Sequence, residues 1–207
     1  MVKELKFIHI TKTAGTSIED VGFHNNIAWG RFHVEEYGWW HEIFKNKPDS
    51  LKSKYDWFTV VRNPYDRIVS EFHCLHGGVR RFGGENVKDH TVKSFNDFLK
   101  DKITNWKTLV PDRYGICRQL SPLGDHYTPQ YLYLDPNYTI HVLKFENIEQ
   151  EFNNLMSLYN LNLTLNKKVN NYEKIFSIKD MDDELINLIE KTYHEDFIKF
   201  EYNFIQK

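Results

Sequence analysis

Three short apolar runs punctuate the chain, each closed by polar turn residues. Leu5, Phe7, Ile8 and Ile10 make the first, Phe58 to Val61 the second, and Thr139 to Phe145 the third. Brief runs of aromatic and β-branched residues with polar flanks predict buried strands. Beyond each run the spacing changes to that of a helix. Tyr65, Ile68, Val69 and Phe72 fall at i, i+3, i+4 and i+7, with Ser70 on the polar side. Asn63 suits the N-cap of that helix, Pro64 its first position, and Asp66 the positive end of its dipole. A helix from about Ser94 turns Phe95, Phe98 and Leu99 inward. Ile148, Phe152, Leu155, Met156 and Tyr159 mark a helix over Glu146–Tyr159. Asp180 is placed to cap a long last helix reaching about Phe200, with Ile186, Ile189, Tyr193, Phe197 and Phe200 on its core face.

Strands alternating with helices predict an α/β fold: a parallel sheet with helices on both faces and ligands at the carboxyl ends of the strands. Between the periodic segments, 23–44 is aromatic and histidine-rich without a clean period, and reads as loop and short helix over the mouth of the sheet. Residues 106–125 read as loop and helix pieces, and 160–171 as a polar loop.

Composition narrows the function. A chain of 207 residues predicts a single domain, 1–207, with a sizeable core. A formal net charge of −2 argues against general nucleic-acid binding, so any anion site must be a local gathering of cations. No apolar run approaches the ~20 residues that span a bilayer. The N-terminus carries no signal-peptide core, so the expectation is a cytoplasmic protein. Cys74 and Cys117 are too few for a disulfide scaffold or a cysteine-rich zinc site, and no metal-ligand cluster is evident. The sequons at Asn137 and Asn162 matter only in a secreted chain.

The chemistry gathers at the first two strand-to-helix junctions. In KFIHITKTAGTSIE (6–19), Gly15 is free to take a positive φ, and Thr16 and Glu19 have capping-box spacing, which starts the helix at about Ser17. Such a loop aims backbone N–H groups and a positive helix end at one spot, a site for a phosphate or another oxyanion. Lys12 adds a full charge beside it. The lysine precedes the glycine, so this is not the GxxxxGK[ST] loop, and an ordinary turn with a solvated lysine has the same letters. At the second junction, WFTVVRNPYDRIVSEF (57–72), the strand ends at Arg62, which can grip a phosphate with two parallel hydrogen bonds. For base chemistry near neutral pH the irregular segment offers His24, His33 and His41.

HITKTAGTSIE resembles the 5′-phosphosulfate loop of sulfotransferases that use 3′-phosphoadenosine 5′-phosphosulfate (PAPS). TVVRNPYDRIVSEF resembles their 3′-phosphate motif, strand–Arg–x–Pro–x–x–Arg–x–x–Ser. The likeness is to the carbohydrate type, including the heparan sulfate 2-O- and 6-O-sulfotransferases, and covers roughly the first third of the chain tightly. It implies a three-layer, P-loop NTPase-like sulfotransferase fold. It also implies PAPS as co-substrate and PAP as product, with the phosphosulfate over Lys12, Thr13, Ala14, Gly15, Thr16 and Ser17 and the 3′-phosphate on Arg62 and Ser70.

The family places a catalytic histidine ahead of the 3′-phosphate arginine. Trp40-His41 stands 21 residues before Arg62, so the resemblance puts His41 first as base and His33 second. Lys12 would neutralise the departing phosphate, with no metal needed. The acceptor would be a hydroxyl, by resemblance a sugar or glycan, with a small alcohol or tyrosine as alternatives. Arg80 and Arg81 read either as a solvated turn or as a cationic lip for an acidic acceptor. His126 and Gln130, in a His-x-x-Pro-Gln segment seen in some members, read as near the donor or acceptor, or as packing. Lys167, Lys168 and Asn170 read as solvated loop or as contacts to the donor's adenosine phosphate end. A kinase-like phosphotransferase and a non-catalytic binder of PAP or acidic glycan are the rival readings; the first wants a phosphate loop and magnesium carboxylates that are not evident.

Overall fold

The computed structural model describes residues 3–30, 41–74, 86–106, 126–165 and 174–205. They form two compact units. The first comprises 1–62, 112–121 and 132–170; the second comprises 63–111, 122–131 and 171–207.

The first unit is built on three parallel strands in the order β1-β2-β3: β1 Leu5–Ile8, β2 Asp56–Val61 and β3 Ile140–Lys144. Phe7 pairs with Phe58 and Val60 with Leu143, so the pleat stacks apolar side chains on one face. Helices α1 (Gly15–His24) and α5 (Ile148–Leu158) bring Ile18, Phe152, Leu155 and Met156 to the same cluster, which Trp29 completes. The Trp29 indole N–H donates to the Leu5 carbonyl at 2.8 Å. On the other face, Trp57 meets Phe44, which sits in a 3₁₀ turn at Phe44–Asn46; the short helix α2 (Asp49–Lys52) follows that turn. The three strands sit where the apolar runs predict them, and the α5 face is the expected one.

The second unit holds α3 (Pro64–Phe72), α4 (Val92–Thr104), α6 (Asp183–Thr192) and α7 (His194–Lys199). The start of α3 follows its local chemistry: the Asn63 side chain accepts from the Tyr65 N–H at 3.0 Å, and Pro64 is the first helical residue. Phe72 at the end of α3 lies among Phe95, Phe98 and Phe176. Asn96 of α4 donates to the Asp180 carbonyl and accepts from the Asp182 N–H, both at 2.8 Å, which ties α4 to the start of α6.

Two expectations change here. Asp180 does not cap the last helix; it closes a capping box with Ser177 around a 3₁₀ turn, and Asp182 caps α6 through the Leu185 N–H. The single long helix is two, α6 and α7, broken at Tyr193 (φ −105°, ψ 20°). Ile189, Tyr193, Phe197 and Phe200 are buried straight through the break, so the apolar period continues where the backbone does not. The segment after His126 forms a 3₁₀ turn at Gln130–Tyr133.

Candidate active site

The loop between β1 and α1 is more strained than its glycine suggests. Lys12 and Ala14 hold left-handed backbone angles, φ 66° and 72°, while Gly15 is not among the positive-φ residues. The sign of φ therefore alternates from Lys12 to Gly15, a feature of backbone that can bring successive N–H groups to one spot. Non-glycine residues in this region cost about 1–2 kcal/mol each and persist where the surroundings over-determine them. Thr13 supplies part of that constraint: it is buried, and its hydroxyl donates to the Ile10 carbonyl at 2.8 Å.

The expected capping box at Thr16 and Glu19 does not form. Helix α1 begins at Gly15, two residues earlier than the spacing predicts, with Ala14 as N-cap and no side-chain cap. Its first turn closes through Ser17 N–H and Ile18 N–H to the Ala14 carbonyl, at 2.9 and 3.2 Å. The amides of Gly15 and Thr16 precede those bonds and lie at the positive helix end. Thr16 is exposed, while Lys12 and Ser17 are half-buried.

Glu19 faces inward instead. Its Oε1 lies 2.9 Å from His9 Nδ1, and both side chains are buried. Gly15 is needed for close approach rather than for its φ: a Cβ there would overlap Nε2 and Cδ2 of the His9 ring. Sequence reasoning passed over His9. The available signal was Glu19 one turn beyond Gly15 and beside Ile18, a carboxylate on the buried side of a helix, which needs a polar partner.

Arg62 and His41 lie at the same loop. The Arg62 guanidinium follows β2, sits 4.0 Å over the Phe145 ring, and donates from Nη1 to the Lys12 carbonyl at 3.3 Å. The cation of the second motif thus lies at the backbone of the first motif's loop, within the first unit. His41, half-buried, meets His9 edge-on, with ring centroids 4.5 Å apart at 74°. The segment carrying it is anchored by buried Phe44 and by the ion pair of Lys47 with Glu42 at 2.5 Å. Burial pushes the Lys47 ammonium below its usual pKa despite Glu42. His24 is at the exposed end of α1, 3.5 Å from Asp20. His33, Arg80, Arg81, Lys167, Lys168 and Asn170 lie outside the described residues.

The remaining candidates are in the second unit. Ser70 is half-buried on α3. His126 Nδ1 lies 2.7 Å from Oε2 of Glu71, and the His126 carbonyl accepts from Arg67 at 3.2 Å. Arg67, which occupies the second arginine position of the motif, is buried and also donates to the Thr128 carbonyl at 3.0 Å. Gln130 is fully buried; its N–H and that of Tyr131 each donate to Asp196 at 2.8 Å. Burial pushes the Asp196 carboxyl up to about 6. Arg67, Glu71 and Asp196 escaped sequence reasoning because each sits at a helix position where a charge would also suit a solvated face.

Among the described residues no group of three or more His, Cys, Asp or Glu side chains is arranged to hold a metal ion, and no helix is long and apolar enough to cross a membrane. A family model described as the sulfotransferase family matches residues 3–203, running through both units. The chain belongs to the sulfotransferase family. It is accordingly a transferase of sulfuryl groups to a hydroxyl-bearing acceptor, with a mixed α/β fold consistent with that family. Searches of curated proteins and of solved structures gave no match.

Proposed function

We propose that this sulfotransferase takes its sulfuryl group from PAPS and delivers it to a carbohydrate hydroxyl. The observation that carries the reading is the sign-alternating backbone from Lys12 to Gly15 with the Arg62 guanidinium on the Lys12 carbonyl. An anion nest, a helix end, a lysine and an arginine in one locality suit a ligand with separate anionic groups. In this reading the 5′-phosphosulfate lies over Lys12, Thr13, Ala14, Gly15, Thr16 and Ser17, and Arg62 takes the 3′-phosphate. The motif gives Ser70 a share in that task on sequence grounds. The three-layer, P-loop-like arrangement and the sugar acceptor come from the same resemblance, with Arg80 and Arg81 as acceptor contacts; of the two readings of His126 and Gln130, near donor or acceptor or packing, we adopt packing, since His126 holds Glu71 and Gln130 is buried on Asp196.

The acceptor oxygen attacks sulfur in line as the bond from sulfur to the bridging phosphate oxygen breaks. His41 takes the hydroxyl proton, and His33 is the second choice for that role. The electron pair of the broken bond stays on PAP, where Lys12 neutralises it. Fixed donors aimed at developing charge are worth about 2.7–4 kcal/mol each, and a positioned base roughly 10²–10⁴-fold in rate.

The test is transfer of labelled sulfate from PAPS to a panel of sulfated and uronic-acid oligosaccharides, small alcohols and a tyrosine peptide. Labelled oligosaccharide is the expected result. Label only on tyrosine or alcohol would overturn the acceptor class. PAP binding without transfer to any acceptor would favour a binding protein over an enzyme.

A further inference from the structure

The inner side of the loop carries a pair that the proposed reaction leaves unused. His9 stands just past β1 and Glu19 on α1, with side-chain exposures of 5% and 1%. Phe7 lies beside the His9 ring, with centroids 5.8 Å apart, and Ile18, next to Glu19, is buried. A buried carboxylate is costly unless paired and hydrogen-bonded, and well-packed apolar residues of similar volume often serve stability as well or better. Stability alone therefore does not call for this pair.

Its surroundings are shaped for it. Gly15 lies against one side of the imidazole, where a Cβ would overlap the ring. Gly30, at φ 111°, clears Oε1 of Glu19, which a Cβ there would strike. His41 adds an edge-on contact to the His9 ring. His9 thus touches both the loop assigned to the phosphosulfate and the histidine assigned as base.

We propose that His9, held by Glu19, is a positioning residue that fixes the His41 ring against the loop. The inference rests on the reading of His41 as the base. Nδ1 of His9 is bonded to the Glu19 carboxyl, and the ring cannot turn over without breaking that bond inside the protein. His41 then packs on a ring locked in one orientation. His9 itself takes no proton from the acceptor. Outer-layer carboxylates fix metal-bound imidazoles in the same way, and losing them there costs about 10–100-fold in metal affinity or activity.

The test uses Glu19→Gln, which keeps shape and removes charge, and His9→Phe, which keeps a ring and removes the bond. For each, kcat, the PAP dissociation constant and the imidazole nitrogen resonances of His41 through a pH titration are measured. Kcat is expected to fall about 10–100-fold, while PAP affinity stays within about twofold, the split that separates positioning from binding. The His41 resonances and titration midpoint are expected to move. Unchanged His41 resonances with kcat within about twofold of the parent in both variants would overturn the proposal. Failure of both variants to fold would also overturn it, because the pair would then be structural. If His41→Ala turns over normally, the base assignment fails; the response of the His41 resonances to Glu19→Gln still decides whether the pair holds that ring.

Discussion

Among the described residues each unit holds a buried histidine–glutamate pair, His9 with Glu19 in the first and His126 with Glu71 in the second, at 2.9 and 2.7 Å. The bond is the same; the neighbours differ. His9 is pressed on Gly15 and edges His41, at the loop where backbone N–H groups gather. The His126 carbonyl accepts from Arg67, which also donates to the Thr128 carbonyl; Asp196 accepts the next backbone amides along, from Gln130 and Tyr131. One pair borders the loop proposed to hold the phosphosulfate, and the other belongs to a buried network that pins a chain segment. Chemistry at a residue is read from what its far side meets, not from its partner alone.

The two arginines of the second motif divide in the same way. Arg62 stacks on Phe145 and donates to the Lys12 carbonyl, at the loop of the proposed donor site. Arg67, five residues on in the motif, spends its fork on carbonyls in the interior of the second unit. Pattern matching treats them as equals; their environments do not.

The largest expected contrast is in turnover. Lys12→Ala and His41→Ala should each lose about 10²–10⁴-fold in kcat and keep their melting temperature. His126→Gln should do the reverse, keeping kcat per folded molecule and losing about 1–3 kcal/mol of stability, because Glu71 is left poorly paired inside the protein. Steady-state kinetics beside thermal melts separates the cases; a dead His126→Gln that melts normally would erase the contrast.

A middle-sized effect is expected at Gly15. Gly15→Ala forces a Cβ into the His9 ring. Overpacking of this kind typically costs about 1–3 kcal/mol, and PAP affinity should fall with it because the same residue begins α1. A chemical denaturation midpoint equal to the parent's would show that the ring can step aside.

The smallest effect is a pH slope. The Asp196 carboxyl, raised by burial from 3.8 to about 6, holds a proton in the folded protein that the unfolded chain releases. Between those two values the folded state binds more protons, so this group makes stability fall as pH rises, with the loss complete above about 6. Melting temperatures of the parent and of Asp196→Asn across that window should show this downward component in the parent alone. Equal slopes would mean that Asp196 titrates normally.

Much of this was legible in the sequence where local chemistry decides. The Asn63-Pro64 start of α3 and the apolar faces of α3, α5 and the last helical region follow from spacing and capping. The break at Tyr193 was not legible, since a buried face is indifferent to a kink that keeps its residues inward. The left-handed Lys12 and Ala14 were hidden because the neighbouring glycine is the residue expected to take positive φ, and only tertiary contacts hold the strain elsewhere. The His9–Glu19 pair was hidden by the nine residues and the turn between its members; spacing alone pointed Glu19 to a cap.

The most direct measurement compares PAP with 5′-AMP, which lacks only the 3′-phosphate, by calorimetric titration into the parent and into Arg62→Ala. Charge-assisted hydrogen bonds of about 1.5–3 kcal/mol predict that the parent prefers PAP by roughly 10–100-fold, and that Arg62→Ala loses most of this preference while 5′-AMP affinity holds. Equal affinity of the parent for the two nucleotides, or an undiminished preference in Arg62→Ala, would contradict the account.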